Sequence, residues 1–330
     1  MLRYPHLTHI QLNHGDSDKV ASYSPVFRAY DKDFVAGQAA IDRFKAAGLA
    51  TAPGFFVIVG RPQVAGVQAA RGPVGGLANP TVLYAPTWWG NTQDSNYTSL
   101  PKGPEITRAL LERGCTVVFR PHPYWDKHHR TAAAREAVVD LLARDAAASG
   151  RRHVYGAAAE SELSVFDCFN LSDFMVSDVS SVVNDYLFSL KPLVMMAVTA
   201  TPAQFATDYP VAQAAYIVDY ATLDSAPPPT QSADADQAGP AHPADAVQTG
   251  PAPGGDPGSR TGAAADSAAA RGGAGLGGGG GDGTLAGALD AVFGEDPLAV
   301  VRRQLETYYL GDIPRQRYVE RFLEEAGKYV

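Results

Sequence analysis

The sequence predicts an α/β protein built from two parallel sheets, and three observations carry that prediction. Short apolar runs rich in Val, Ile and Phe alternate with segments of helical periodicity, the pattern of parallel strands joined by crossover helices. A length of 330 residues suits two domains of ordinary size. A fresh strand–helix succession begins at Thr81, after an opening region with only three strand-like runs.

Taken in order, residues 9–12 read as a strand running directly into Asn13, His14, Gly15, Asp16, Ser17, Asp18 and Lys19. Residues 34–37 form a second short strand, followed by a helix over 38–47. Residues 55–60 form a third, leading into Arg61 and Pro62. Open sheets typically hold ~5–6 strands. The region 1–80 therefore reads as a partial domain, and Met1 is expected to lie inside a longer natural reading frame. Next come a strand over 81–88, a helix over 105–113 closed by Gly114, and a β-branched strand over 116–119 that delivers Arg120-Pro121-His122-Pro123. An Ala-rich helix over 130–148 ends before Gly150, and 153–155 and 161–169 read as a short strand and a helix.

Residues 174–198 organise the rest. Phe174-Met175-Val176 is a buried strand, and Ser177-Asp178-Val179-Ser180-Ser181 is a turn-and-cap cluster that begins a helix. Val182, Val183, Tyr186, Leu187 and Leu190 recur at helical spacing until Lys191-Pro192 stops them, and 193–198 is the next strand. In open α/β sheets ligands sit at the carboxyl ends of strands, and helix N-termini favour phosphate. Two adjacent serines would add donors there, although an ordinary N-cap uses serine in the same way. A further strand follows at 215–219.

Residues 225–283 differ in kind. They are dominated by Ala, Gly, Pro, Ser and Asp and contain no aromatic residue, the composition of a disordered surface insertion. The six Asp and two Arg of this stretch supply half of the net charge of −8. Residues 275–280 match G-x-G-x-x-G, but no strand precedes them, so the match is accidental. Helical periodicity returns with Leu285, Leu289, Val292 and Phe293, again over 300–309, and around Tyr318 and Phe322. The expected plan is a partial first domain at 1–80, a nucleotide-binding domain at 81–224 with 284–310, an insertion at 225–283, and a closing helix at 311–330.

Composition excludes several classes. The net charge of −8 and a pI near 5.5 argue against general nucleic-acid binding, which needs a basic surface. Cys115 and Cys168 are the only cysteines, too few for a disulfide framework or a zinc set, so a cytoplasmic setting is the default. No apolar run approaches the ~20 residues of a membrane span, and the N-terminus lacks a signal-peptide layout. Docking on a membrane from the inside remains open.

Four strand ends carry polar groups: His14 with Asp16 and Lys19, Thr87 after Tyr84-Ala85-Pro86, His122 after Arg120, and Ser180-Ser181 after Asp178. Two parallel sheets facing one another across a cleft would bring these together. Each has a plainer reading, since His14 before Gly15 suits a turn and His122 between prolines suits a rigid loop. Asp16-Ser17-Asp18 has the D-x-D pattern of some metal sites, a match common by chance. His122, His128 and His129 lack carboxylate or cysteine partners at ligand spacing.

In order, the segments HGxSxK, YAPTW, RPHP and SDVSSVVNDYLFSLKPLV resemble the CDP-glycerol glycerophosphotransferase family, the teichoic acid primases and polymerases, from about His9 to Val198. A weaker echo falls between Tyr309 and Phe322. The resemblance implies a GT-B-like fold, with the second domain holding a nucleotide diphosphate and the first offering the acceptor side. By this resemblance His14 and His122 are catalytic. His14 is the histidine of the His-Gly motif, and His122 is the one that contacts the donor phosphates. Ser180 and Ser181 match the phosphate-binding hydroxyl pair, Asp178 and Asp185 match acidic positions of the same segment, and Thr87 and Arg120 join the donor side. Gly15, Asp16 and Lys19 fall on the acceptor side. Asp16 and Asp18 replace a small hydroxyl and an apolar residue of many members, which marks a subfamily with a different acceptor or polyol.

The implied reaction moves glycerol phosphate from CDP-glycerol to a hydroxyl of a lipid-linked glycerol phosphate, with CMP leaving, at the inner face of the cytoplasmic membrane. Positioning and charge stabilisation dominate such chemistry, and an imidazole of ordinary pKa ~6.5 can take the attacking proton. Arg120 and Lys19 would supplement the positive charge. No cofactor is implied and no metal site is clear. The alternatives are a glycosyltransferase or nucleotide-sugar 2-epimerase using a UDP-sugar, and a non-catalytic nucleotide-binding remnant.

Overall fold

The computed structural model describes residues 4–13, 16–90, 96–223 and 282–329. All described elements belong to one compact unit. Two parallel sheets organise it. The first has three strands, β1 (Ile10–Leu12), β2 (Lys32–Val35) and β3 (Phe56–Ile58), in the order β1-β2-β3. The second has five: β4 (Thr81–Ala85), β5 (Thr116–Phe119), β6 (Phe174–Ser177), β7 (Leu193–Ala197) and β8 (Tyr216–Asp219), in the order β5-β4-β6-β7-β8. The two-sheet expectation is met, and so is the three-strand first region.

The second sheet is buried on both faces, so its strands read as continuous apolar runs rather than alternating ones. Val82 and Tyr84 of β4, Phe174 and Val176 of β6, and Val194 and Met196 of β7 face one layer of helices. That layer is α2 (Gly103–Glu112), α3 (His129–Ser149) and α7 (Leu285–Phe293), contributing Ile106, Val138 and Leu289 among others. The intervening residues, Leu83, Met175 and Met195, face α4 (Val165–Leu171), α5 (Ser181–Tyr186), α6 (Pro202–Asp208) and α8 (Ala299–Leu310). This alternation follows from the two-residue period of a strand.

The helix expected over 161–169 is two pieces. Residues Ala158–Glu162 make a wide turn, and α4 starts afresh because Ser164 and Asp167 form a reciprocal capping box. The helix expected after Ser181 tightens into a 3-10 turn over Leu187–Ser189, and Leu190 adopts φ +58°. The buried Arg302 guanidinium secures that left-handed residue by donating to its carbonyl at 3.2 Å. The short strand near 153–155 is a single bridge between Val154 and Val118. Helix α6 was not anticipated, although Thr201 as N-cap and Pro202 at the first position are a start signal.

Helix α1 (Gln38–Ala46) covers the first sheet through Phe44, which meets Phe56. The chain returns to that sheet at its end: Phe322 of α9 (Tyr318–Ala326) packs edge-on against Phe34. Gly37 permits the approach of α1 to α8, since a Cβ there would lie 2.6 Å from the Tyr308 carbonyl oxygen.

Asp33 of β2 is fully buried, and neither carboxylate oxygen has a hydrogen-bond partner among the described residues. Burial, reinforced by Asp16, pushes this carboxyl up to about 7 from an ordinary 3.8. Between those values the folded chain keeps a proton that the unfolded chain has released. Stability therefore falls as pH rises from about 4 to about 7, and the full cost stands above that. Asp33→Asn removes the charge that carries this cost, on the order of 4 kcal/mol. Its melting temperature should exceed wild type by several degrees near pH 8 and match it near pH 4, and equal curves at both would contradict this account.

The insertion falls outside the described residues except for Asp282 and Gly283. Its flanks meet: the Asp219 N–H donates to the Gly283 carbonyl at 2.8 Å, and Lys102 Nζ donates to the carbonyls of Tyr220 and Leu223. With the ends already joined, loop closure costs little. Replacing residues 224–281 by a short Gly/Ser linker should leave the melting temperature nearly unchanged. A drop of several degrees in calorimetry would show that the segment packs on the fold.

Candidate active site

In the second sheet the chain runs from β4 outward to β5, then crosses back to β6 on the other side of β4. That reversal opens a crevice at the carboxyl ends of β4 and β6, the place where open α/β sheets bind ligands. Asp178, just past β6, fastens it. Its Oδ2 accepts the backbone N–H groups of Thr87 (2.8 Å) and Ser99 (3.0 Å), while Ser177 Oγ donates to the Ala85 carbonyl at 2.7 Å. Asp178 is fully buried, and burial raises its carboxyl to about 6 against the lowering effect of those hydrogen bonds and of Lys19. Oδ1 has no partner among the described residues.

Above this crevice lies a cleft of about 750 Å³. Lys19, Thr87, Arg120, His122, Ser180, Ser181 and Asp185 all line it, so seven of the expected site residues come together. Asp178 lies beneath as the fastener. Asp16 sits apart, in a smaller pocket of about 360 Å³ at the carboxyl ends of the first sheet, where it pairs with Arg43. Burial raises its carboxyl despite Arg43. His14 and Gly15 lie outside the described residues.

The local roles differ. The His122 Nδ1 accepts the backbone N–H of Tyr124 at 3.1 Å, so the neutral ring carries its proton on Nε2. Burial, helped by the charge of Lys19, lowers this imidazole's pKa. His122 is thereby a neutral hydrogen-bond donor near pH 7, suited to holding an anion rather than to removing a proton. Ser180 caps α5 by accepting the Val182 N–H at 3.4 Å. Ser181 begins that helix. Arg120 is anchored, its Nη1 donating to the carbonyls of Ala159 and Leu163, the latter at 2.9 Å. Asp185 forms a bidentate pair with Arg61, Nε to Oδ1 at 2.8 Å and Nη2 to Oδ2 at 3.1 Å, both groups buried. Burial raises the Asp185 carboxyl while the guanidinium opposes it.

Sequence reasoning gave Arg61 no role. Its signal was present: it stands three residues past the end of β3, at another strand end. Trp88 was also passed over, although it lines the cleft and stacks on His122 with ring centroids 6.0 Å apart. Among the described residues no group of three or more His, Cys, Asp or Glu is placed to hold a metal ion, and no helix is long and apolar enough to cross a membrane.

Two parallel α/β sheets sharing a cleft, with the switch point of the larger one on its wall, define a GT-B-like architecture. Residues 68–201 match the CDP-Glycerol:Poly(glycerophosphate) glycerophosphotransferase family, and the resemblance carried by the motifs is borne out over that segment. Among solved structures, the wall teichoic acid polymerase TagF aligns at 12% identity over 97% of this chain and 68% of its own, with a TM-score of 0.44. MnaA of S. aureus with UDP aligns at 14% identity over 58% and 51%, TM-score 0.38. A UDP-N-acetylglucosamine 2-epimerase-type protein of Listeria monocytogenes aligns at 15% identity over 58% and 48%, TM-score 0.36. The aligned part thus spans about half the length of these last two chains. None reaches a TM-score of 0.5, so the architecture rests on the sheet order and the residues themselves. No curated protein matches the sequence.

Proposed function

We propose that the chain transfers glycerol phosphate, or a related polyol phosphate, from a CDP-activated donor to a hydroxyl of a lipid-linked acceptor, releasing CMP. One observation supports this above others. Thr87, Arg120, His122, Asp178, Ser180, Ser181 and Asp185 all fall inside the family-matched segment, and all but the fastener Asp178 line one cleft. The acceptor enters from the first sheet, with His14 as general base. His122, Ser180 and Ser181 hold the donor phosphates, and charge on the leaving CMP is stabilised by fixed donors. A lipid-linked acceptor places the enzyme at the inner face of the cytoplasmic membrane, in synthesis of a teichoic acid-type polymer. Domain boundaries near residue 80 and at 310 follow from the same division of labour.

A donor panel tests the reading. CMP release from CDP-glycerol or CDP-ribitol with an added lipid-linked acceptor is the expected result. Turnover of UDP-sugars alone would replace it with a sugar-nucleotide enzyme, and nucleotide binding with no turnover would make the chain a binding remnant.

A further inference from the structure

Lys19 is carried by the loop after β1 of the first sheet, yet its Nζ lies 3.3 Å from Thr87 Oγ1 of the second. The same ammonium stands 5.2 Å from the centre of the Tyr97 ring. An ammonium has three N–H donors. Thr87 takes one, the Tyr97 ring face attracts the charge, and no other hydrogen-bond acceptor is present among the described residues. Asp178 attracts it electrostatically without an ion pair at contact distance, and its Oδ1 is itself unpartnered. The side chain is half-buried and lines the cleft beside His122, Ser180 and Ser181. Burial pulls its pKa down to about 8, which leaves it charged at neutral pH. A half-buried cation with unused donors on a cleft wall calls for an anion.

Taking the donor to be a CDP-activated polyol, as proposed for this cleft, we infer that Lys19 binds the donor's outer phosphate, the one that is transferred. The inner phosphate and the nucleoside belong to the wall built by the second sheet. The reacting phosphorus must instead lie within reach of both walls, because the acceptor approaches from the first. Lys19 is rooted in one wall and rests on the other, so it marks that junction.

The test compares CMP, which lacks the outer phosphate, with CDP and CDP-glycerol by calorimetric titration of the full chain. Lys19→Met should weaken CDP and CDP-glycerol by about 10–100-fold, the effect of losing a hydrogen bond to a charged group. CMP should change by no more than about twofold on the same reasoning. Lys19→Arg keeps the charge and should recover part of the CDP affinity. Equal weakening of CMP and CDP, with a lowered melting temperature, would make Lys19 a structural prop and overturn the assignment. Unchanged CDP affinity in Lys19→Met would overturn it while leaving the donor class intact. Wild-type protein that binds none of the three nucleotides would overturn the donor class and the lysine's role together.

Discussion

His14→Ala should lower turnover of the CDP-activated donor by roughly 10²–10⁴, the loss expected for a general base, while donor binding stays nearly intact. The contrast with the opposite wall makes this informative. Ser181→Ala removes a donor to a charged oxygen, worth about 1.5–3 kcal/mol, so binding and turnover should fall together. His122→Ala should follow the serine, because a neutral ring with its proton on Nε2 supports the anion and not the proton transfer. Calorimetric titration paired with CMP-release rates measures both quantities. Loss of donor binding in His14→Ala, together with unchanged binding and rate in Ser181→Ala, would reverse the roles. Ser181 would then serve only to begin a short helix.

Arg61→Met should destabilise the protein by roughly 3–5 kcal/mol, because it strands the buried Asp185 carboxylate rather than merely deleting an attraction. At about 2–4 °C per kcal/mol for a domain of this size, the melting temperature should drop by roughly 10 °C. Removing both charges, Arg61→Met with Asp185→Leu, should recover most of the loss. A thermal melt of the double variant no better than the single would locate the effect elsewhere. Asp185 is thus a tie between the two sheets as well as a lining residue.

Much of this architecture was legible because buried parallel strands leave unbroken apolar runs. Phe174 to Val176 and Leu193 to Met196 could be read directly, and Gly150 at φ +76° ends α3 where the sequence placed it. The break at Leu163 was harder, since no Gly or Pro marks it and only the Ser164–Asp167 box separates the two pieces. At the site, residue types at strand ends pointed to groups that line one cleft. What they could not show is partnership over long sequence separations. Asp185 finds Arg61, and Lys19 of the first sheet finds Thr87 of the second, only after both sheets have formed. Local pattern carries no information about such pairs.

The route of the backbone has a mechanical consequence. The chain leaves the first sheet between β3 and β4 and comes back after α8, when α9 seats Phe322 on Phe34. Two plates joined by one strap can slide, twist and swing freely. Joined by two straps, and packed through Ala39 and Val64 into the core that also holds Leu83 and Met175, they are held against all three motions. The bonds from Lys19 to Thr87 and from Arg61 to Asp185 fasten the same two plates a third time, along the cleft.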